Sequence, residues 1–244
     1  MNIEYKIEPP KTGKDKIKHP KLAEEGVIPK LGSSIILIGV TKSGKSVLLQ
    51  NLLSRKEFYG NAFDQIFLIS MAGDDTLDSL DIPEECTFHD VKKAEAALKV
   101  IQTHQKTQIA KHGNHKASQF AIVLDDIIGE SKFMKSSAVI QSFIANRHAN
   151  ETVFLCSQHL RSVPKVCRLQ ASFVCIFQCS RREQEVMIDE YCPPNLNAKQ
   201  FTRLMEDVWT EPFQFLTIHR LWPLKERYRV GLGQAIDLDY YRSL

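Results

Sequence analysis

No uninterrupted apolar run in this 244-residue sequence approaches the length needed to cross a membrane as a helix. No C-x-x-C occurs among its six cysteines (Cys86, Cys156, Cys167, Cys175, Cys179 and Cys192), and neither these nor the eight histidines fall into the paired spacings of a structural zinc site. Several of the cysteines stand in apolar, strand-like runs, where a free thiol packs as a small hydrophobe, so the expected setting is a reducing compartment. The first 21 residues, MNIEYKIEPPKTGKDKIKHPK, carry charge and proline where a secretion signal has its apolar segment. There is no internal repeat and no strong charge imbalance, the formal net charge being +3. The expectation is a soluble protein that is not secreted.

What is present is enough hydrophobic residue, 43%, for one well-buried domain of the three-layer kind. Residues 1–30 lack periodicity and read as a basic, flexible arm: Lys11, Lys14, Lys16, Lys18 and Lys21 face the single acid Asp15. Residues 31–244 read as the core domain. In it, short apolar runs alternate with helical patterns. Strands are predicted at 35–38, 64–70, 118–126, 152–158 and 172–178, with helices at 91–113 and 136–150 between them. Such alternation specifies an α/β fold with a mainly parallel sheet covered on both faces. Toward the end the pattern loosens into two helices and two late strands or a hairpin, at 213–219 and 227–232.

The first strand runs into GVTKSGKS, residues 39–46, which fits G-x-x-x-x-G-K-[ST] and is followed by an apolar helix. A strand and a helix on either side give this pattern its mechanical sense. Gly39, Val40, Thr41, Lys42, Ser43, Gly44, Lys45, Ser46 and Val47 form a nest of backbone N–H groups at a helix N-terminus, suited to phosphate oxygens. Lys45 would reach the terminal phosphates, and the Ser46 hydroxyl would ligate Mg2+. ATP is the expected ligand.

FAIVLDD, residues 120–126, puts two carboxylates at the C-terminal end of a buried strand, where open parallel sheets hold their ligands. Asp125 would hold Mg2+, and Asp126 would accept a proton from the attacking water. Asp126-Ile127-Ile128-Gly129 also fits the D-x-x-G of small GTPases, but no N-K-x-D for guanine is present. A strand also intervenes between the phosphate loop and Asp125. This layout, with the polar residue Gln158 at the tip of the next strand, is that of the ATPase branch; Gln158 would orient the water or sense the γ-phosphate.

Together GVTKSGKS, AIVLDD and NRHANETVFLCSQHLRSVPKVCRLQASFVCIFQ resemble the FtsK–HerA superfamily, and within it the genome-packaging ATPases of large DNA viruses of the poxvirus type and their virophages. The third stretch, with Arg-His before the strand, Ser-Gln at its tip and a Pro-Lys-x-x-Arg loop after it, carries most of the likeness. The resemblance implies a three-layer RecA-like P-loop ATPase working as a homo-oligomeric ring. It further implies translocation of double-stranded DNA into a capsid, contact with capsid proteins, and a place at cytoplasmic sites of virus assembly or in the virion. Asp126 stands where many members of the wider superfamily carry glutamate, and no DNA-reading domain like that of the cellular pumps is attached.

Between 147 and 182 the cations Arg147, Arg161, Lys165, Arg168, Arg181 and Arg182 meet one acid, Glu151. That one-sign stretch suits phosphate partners, or forms a solvated basic face. Arg147 is the first candidate for an arginine finger reaching a neighbour's ATP, Arg168 the second; Arg161 and Lys165 are candidates for contact with the DNA backbone. Two competing classes are a small-molecule P-loop kinase and a nucleotide-dependent scaffold without turnover.

Overall fold

The structure is a computed structural model that describes residues 17–71, 75–127 and 129–244. Most of the lysine-rich tract expected as an arm (Lys11, Lys14, Lys16), and Ile128 of the D-x-x-G match, lie outside the described residues.

Eight strands form one sheet: β1 (Ser34–Ile38), β2 (Gln65–Ser70), β3 (Thr87–Phe88), β4 (Phe120–Asp125), β5 (Glu151–Ser157), β6 (Phe173–Phe177), β7 (Phe215–His219) and β8 (Tyr228–Val230). Their order is β3-β2-β4-β5-β1-β6-β7-β8. Pairing is parallel from β3 through β6, and β7 and β8 add to the edge antiparallel. The sheet is therefore the mainly parallel one expected, with the late strands as an antiparallel extension.

Side chains of successive strand residues point to opposite faces, so each central strand supplies two cores. Ile36, Ile38, Ile122, Leu124, Val153 and Leu155 pack on one face, and Ile35, Leu37, Ala121, Val123, Phe154 and Cys156 on the other. This two-sided burial is why these strands are continuous apolar runs rather than alternating ones.

The helices, in chain order, are α1 (Lys21–Glu24), α2 (Lys45–Ser54), α3 (Asp75–Asp78), α4 (Val91–His112), α5 (Ser131–Met134), α6 (Ser137–Ile144), α7 (Lys165–Gln170), α8 (Arg181–Tyr191), α9 (Ala198–Val208), α10 (Leu224–Arg227) and α11 (Leu238–Ser243). Helix α4 starts where the Asp90 carboxylate accepts from the Lys93 N–H at 2.9 Å, and stops at Gly113, whose φ is 80°. Residues from α4, α6, α8 and α9 cover one face of the sheet; α2 and the segment around α1 cover the other. No helix among the described residues is long and apolar enough to cross a membrane.

Two local expectations change. The helix predicted over 136–150 ends at Ile144 and gives way to a 3-10 turn, Asn146–His148. Within the arm predicted for 1–30, Ala23 and Ile28 are buried against the sheet, and Pro29 accepts a hydrogen bond from the buried Tyr59 hydroxyl. The apolar residues of this segment anchor it despite its lysines.

Candidate functional site

The geometry begins with register. Ile38 pairs with Ser157 and Asp125 with Cys156, so β1, β5 and β4 end level with one another at the C-terminal end of the parallel strands, with β5 in the middle. Gly39, Gln158 and Asp126, the next residues, are thereby brought side by side from three distant parts of the chain.

From Gly39 the chain turns through the phosphate loop into α2. Two residues of the loop take left-handed conformations, Lys42 (φ 63°) and Gly44 (φ 103°). At Gly44 an L side chain is strained, which explains the glycine. Gly39 is required for space: a Cβ there would lie 2.5 Å from Phe177 Cβ and 2.7 Å from Ser43 Oγ. Lys45, the first residue of α2, folds its ammonium back to donate to the Gly39 and Val40 carbonyls, each at 2.9 Å. The loop thus holds the cation inside its own concavity, beside the helix N-terminus.

At the end of β4, Asp125 is buried. Asp126 then takes φ 46°, a left-handed conformation rare for a residue with a side chain and concentrated at functional sites. Its carboxylate accepts from Gln158 Nε2 at 3.2 Å (Oδ1) and 3.1 Å (Oδ2). The sequence reading set Gln158 beside Asp126, and in the fold the two side chains are hydrogen-bonded.

Lys45, Ser46, Asp125, Asp126 and Gln158 all line one cavity of about 790 Å3. Ser46 and Asp125 offer hard oxygen donors of the kind Mg2+ takes, and magnesium keeps its remaining positions for water and phosphate oxygens. The donor set fits that ion. Among the described residues no cluster of three or more His, Cys, Asp or Glu side chains could hold a metal.

The apolar wall of the cavity, which packs against the phosphate loop at Gly44, was not legible in the sequence. Phe177, Phe213, Phe215 and Leu232 form it together with Val47 from α2. The Phe177 and Phe215 rings pack at 4.8 Å between centroids, tilted by 36°. Phe213, read as part of a strand over 213–219, precedes β7, which starts at Phe215. It sits at φ 65° with 69% of its surface exposed. An exposed, strained phenylalanine over a phosphate loop is an apolar platform in search of a flat partner.

The basic stretch disperses into three places. Arg147, exposed in the turn before β5, stands by Gly32 at the N-terminal end of β1, with its Cα 3.1 Å from the position a Gly32 Cβ would take. It is at the end of the sheet remote from the cavity. Arg168 is mostly buried (12% exposed) and pairs with Glu190 at 3.2 Å, tying α7 to α8. Arg161, Lys165, Arg181 and Arg182 are exposed, and the turn carrying Arg161 is bonded to the first turn of α8. The six cysteines are free, five of them buried.

The sheet order, the phosphate loop and the paired carboxylates at the C-terminal end of β4 define a P-loop nucleotide-binding fold. Residues 29–206 match the family described as Poxvirus A32 protein, and the chain belongs to that family. It is 27% identical over 161 residues to the DNA packaging protein OPG160 of monkeypox virus, covering 65% of this chain and 52% of the relative. The vaccinia virus (strain Copenhagen) counterpart is 26% identical over 161 residues, with 65% and 58% covered. The chain thus spans a little over half the length of these curated relatives. Among solved structures it resembles B204, the DNA-packaging ATPase from Sulfolobus Turreted Icosahedral Virus, with a TM-score of 0.59 and 13% identity over 85% of this chain and 99% of that one. At that identity the likeness establishes the fold.

Proposed function

We propose that this chain is an ATP-hydrolysing motor that moves double-stranded DNA into a viral capsid. The observation that carries the reading is the Gln158–Asp126 pair at the C-terminal ends of the central strands, in the same cavity as Lys45 and Ser46. Binding a nucleotide needs the loop alone; a carboxylate held by a glutamine beside it is equipment for activating water. Family membership and the DNA-packaging role named for the relatives support the same reading.

In this reading the loop N–H groups from Gly39 to Val47 cradle the phosphates, and Lys45 exchanges its carbonyl partners for β- and γ-phosphate oxygens. Ser46 and Asp125 hold Mg2+, which when bound neutralises charge on the phosphates. Asp126 accepts the proton of the attacking water, and Gln158 orients that water and registers loss of the γ-phosphate. The aromatic wall around Phe213 takes the adenine face.

Arg147 cannot reach the nucleotide of its own chain from the far end of the sheet. In a head-to-tail ring that end meets the neighbour's cavity, so Arg147 serves there as the finger in trans. Arg168, spent on Glu190, is structural. Arg161 and Lys165, with Arg181 and Arg182, contact DNA phosphates without regard to sequence. The basic tract at 11–21 is the alternative tether to DNA or capsid protein. The work is done at cytoplasmic sites of virus assembly or in the virion.

The test is Mg2+-dependent ATP hydrolysis by the purified chain with and without long double-stranded DNA, using Lys45→Ala as the blank. Turnover that rises with DNA and with protein concentration is the expected result. ATP binding without turnover, in the presence of DNA, would favour the scaffold class.

A further inference from the structure

The buried carboxylate of Glu183 lies outside the cavity, yet it holds the segment that follows Gln158. Glu183 belongs to the first turn of α8 and is 6% exposed. Its Oε2 accepts from the Leu160 N–H at 2.7 Å, and its Oε1 lies 3.3 Å from His159 Nδ1. Both partners are in the turn just past the tip of β5. A second set of bonds closes the turn from the other side: the Ser157 hydroxyl donates to the His159 carbonyl at 3.0 Å, and the His159 N–H reaches the same hydroxyl at 3.3 Å. Leu160 is completely buried, so the turn is fixed by packing as well.

Gln158 therefore stands between two anchored residues and has its side chain on Asp126. One residue past Leu160, Arg161 is exposed, and the exposed Arg181 and Arg182 immediately precede Glu183 on α8. A buried carboxyl is costly unless its oxygens find donors, and here one oxygen takes the Leu160 N–H while the other faces the His159 ring, both in one short segment. A carboxylate put to that use resists displacement of the segment. We propose that Glu183 is a positioning residue: it sets the Gln158–Asp126 geometry through the 159–162 turn and makes Arg161, Gln158 and the start of α8 one mechanical unit. A phosphate chain drawn against Arg161, Arg181 and Arg182 then moves, or restrains, the glutamine that faces Asp126. This rests on the reading of the cavity as a hydrolytic site.

The experiment uses the full chain with Glu183→Ala, Glu183→Gln and Gln158→Ala, alone and in combination, with circular dichroism and melting to confirm folding. Glu183→Ala should lower kcat about tenfold while leaving ATP affinity and DNA affinity within about twofold of the parent. Glu183→Gln, which keeps an acceptor for Leu160, should recover most of that loss. In the Gln158→Ala background Glu183→Ala should have little further effect, because both act through one group. Full additivity of the two changes, or equal losses in kcat and ATP affinity, would overturn the proposal. A parent chain that binds ATP and never hydrolyses it would instead defeat the hydrolytic reading. In that case hydrogen exchange decides on the latch: the Leu160 N–H and the Gln158 side-chain amide should both exchange faster in Glu183→Ala. An unchanged Gln158 amide would overturn it.

Discussion

Lys45 and Arg147 stand at opposite ends of β1: the lysine follows its C-terminal end through the phosphate loop, and the arginine packs beside Gly32 ahead of its first residue, Ser34. A strand of five residues separates them, roughly 17 Å of extended chain. No side-chain rearrangement within one subunit closes that gap.

Subunit mixing tests the consequence. Arg147→Ala and Lys45→Ala chains should each be nearly inactive alone. Mixed, they should recover part of the activity, since some interfaces pair an intact loop with an intact arginine. Hydrolysis by the mixture no greater than the sum of the separate chains would remove Arg147 from the trans role.

Asp126→Asn keeps the size of the side chain and an acceptor for Gln158 but loses the base. It should reduce kcat by about 100-fold or more with ATP affinity preserved. Gln158→Ala should cost about 10- to 100-fold in kcat. Equilibrium binding of a fluorescent ATP analogue alongside steady-state turnover separates the two effects. A comparable loss of nucleotide binding in both variants would argue that the pair shapes the cavity and does no chemistry.

Phe213→Ala removes the exposed ring that lies beside Gly44 of the phosphate loop. ATP affinity should fall about 5- to 10-fold, the worth of one aromatic contact, while inorganic tripolyphosphate binds as before. Calorimetric titration of the two ligands reads the difference directly. Equal weakening of both would place Phe213 with the loop and not with the base.

Glu151 gives a pH prediction. Its carboxyl is buried (1% exposed), and its Oε1 has no hydrogen-bond partner among the described residues. Burial pushes its pKa from 4.5 to about 7, against an opposing pull from Lys106. Between these values the folded chain holds a proton that the unfolded chain has released. Stability from this group is therefore present below about pH 4.5 and lost as pH rises toward 7. The full swing is at most about 3 kcal/mol. Glu151→Gln should raise the urea midpoint at pH 8 and flatten its decline between pH 5 and 8; an unaltered decline would assign it to other groups.

The central strands and the phosphate loop were legible because their signals are local. A doubly buried strand is a short β-branched run, and a nest for phosphate needs glycines at set spacing. Asp126 and Gln158 were legible as strand tips, and register then joined them. Strand β3 has only two residues and offers no period to detect. Arg168 shows the limit of reading charge: on paper it is the second candidate for the finger after Arg147, but the turn of α7 carries it inward to Glu190. Phe213 and Glu183 were missed for related reasons. A left-handed phenylalanine and a carboxylate that bonds to a distant turn are products of tertiary structure, without a local pattern.

The antiparallel extension of the sheet has a consequence for inheritance. The phosphates would be held by residues inside the family-matched stretch, which ends at 206, whereas Phe213, Phe215 and Leu232 come after it. In the proposed reading, the loop that holds the phosphates and the outer part of the wall that takes the base are thus encoded in separate blocks, so a graft of residues 209–235 from another member would change the affinity for the base while leaving the phosphate machinery intact.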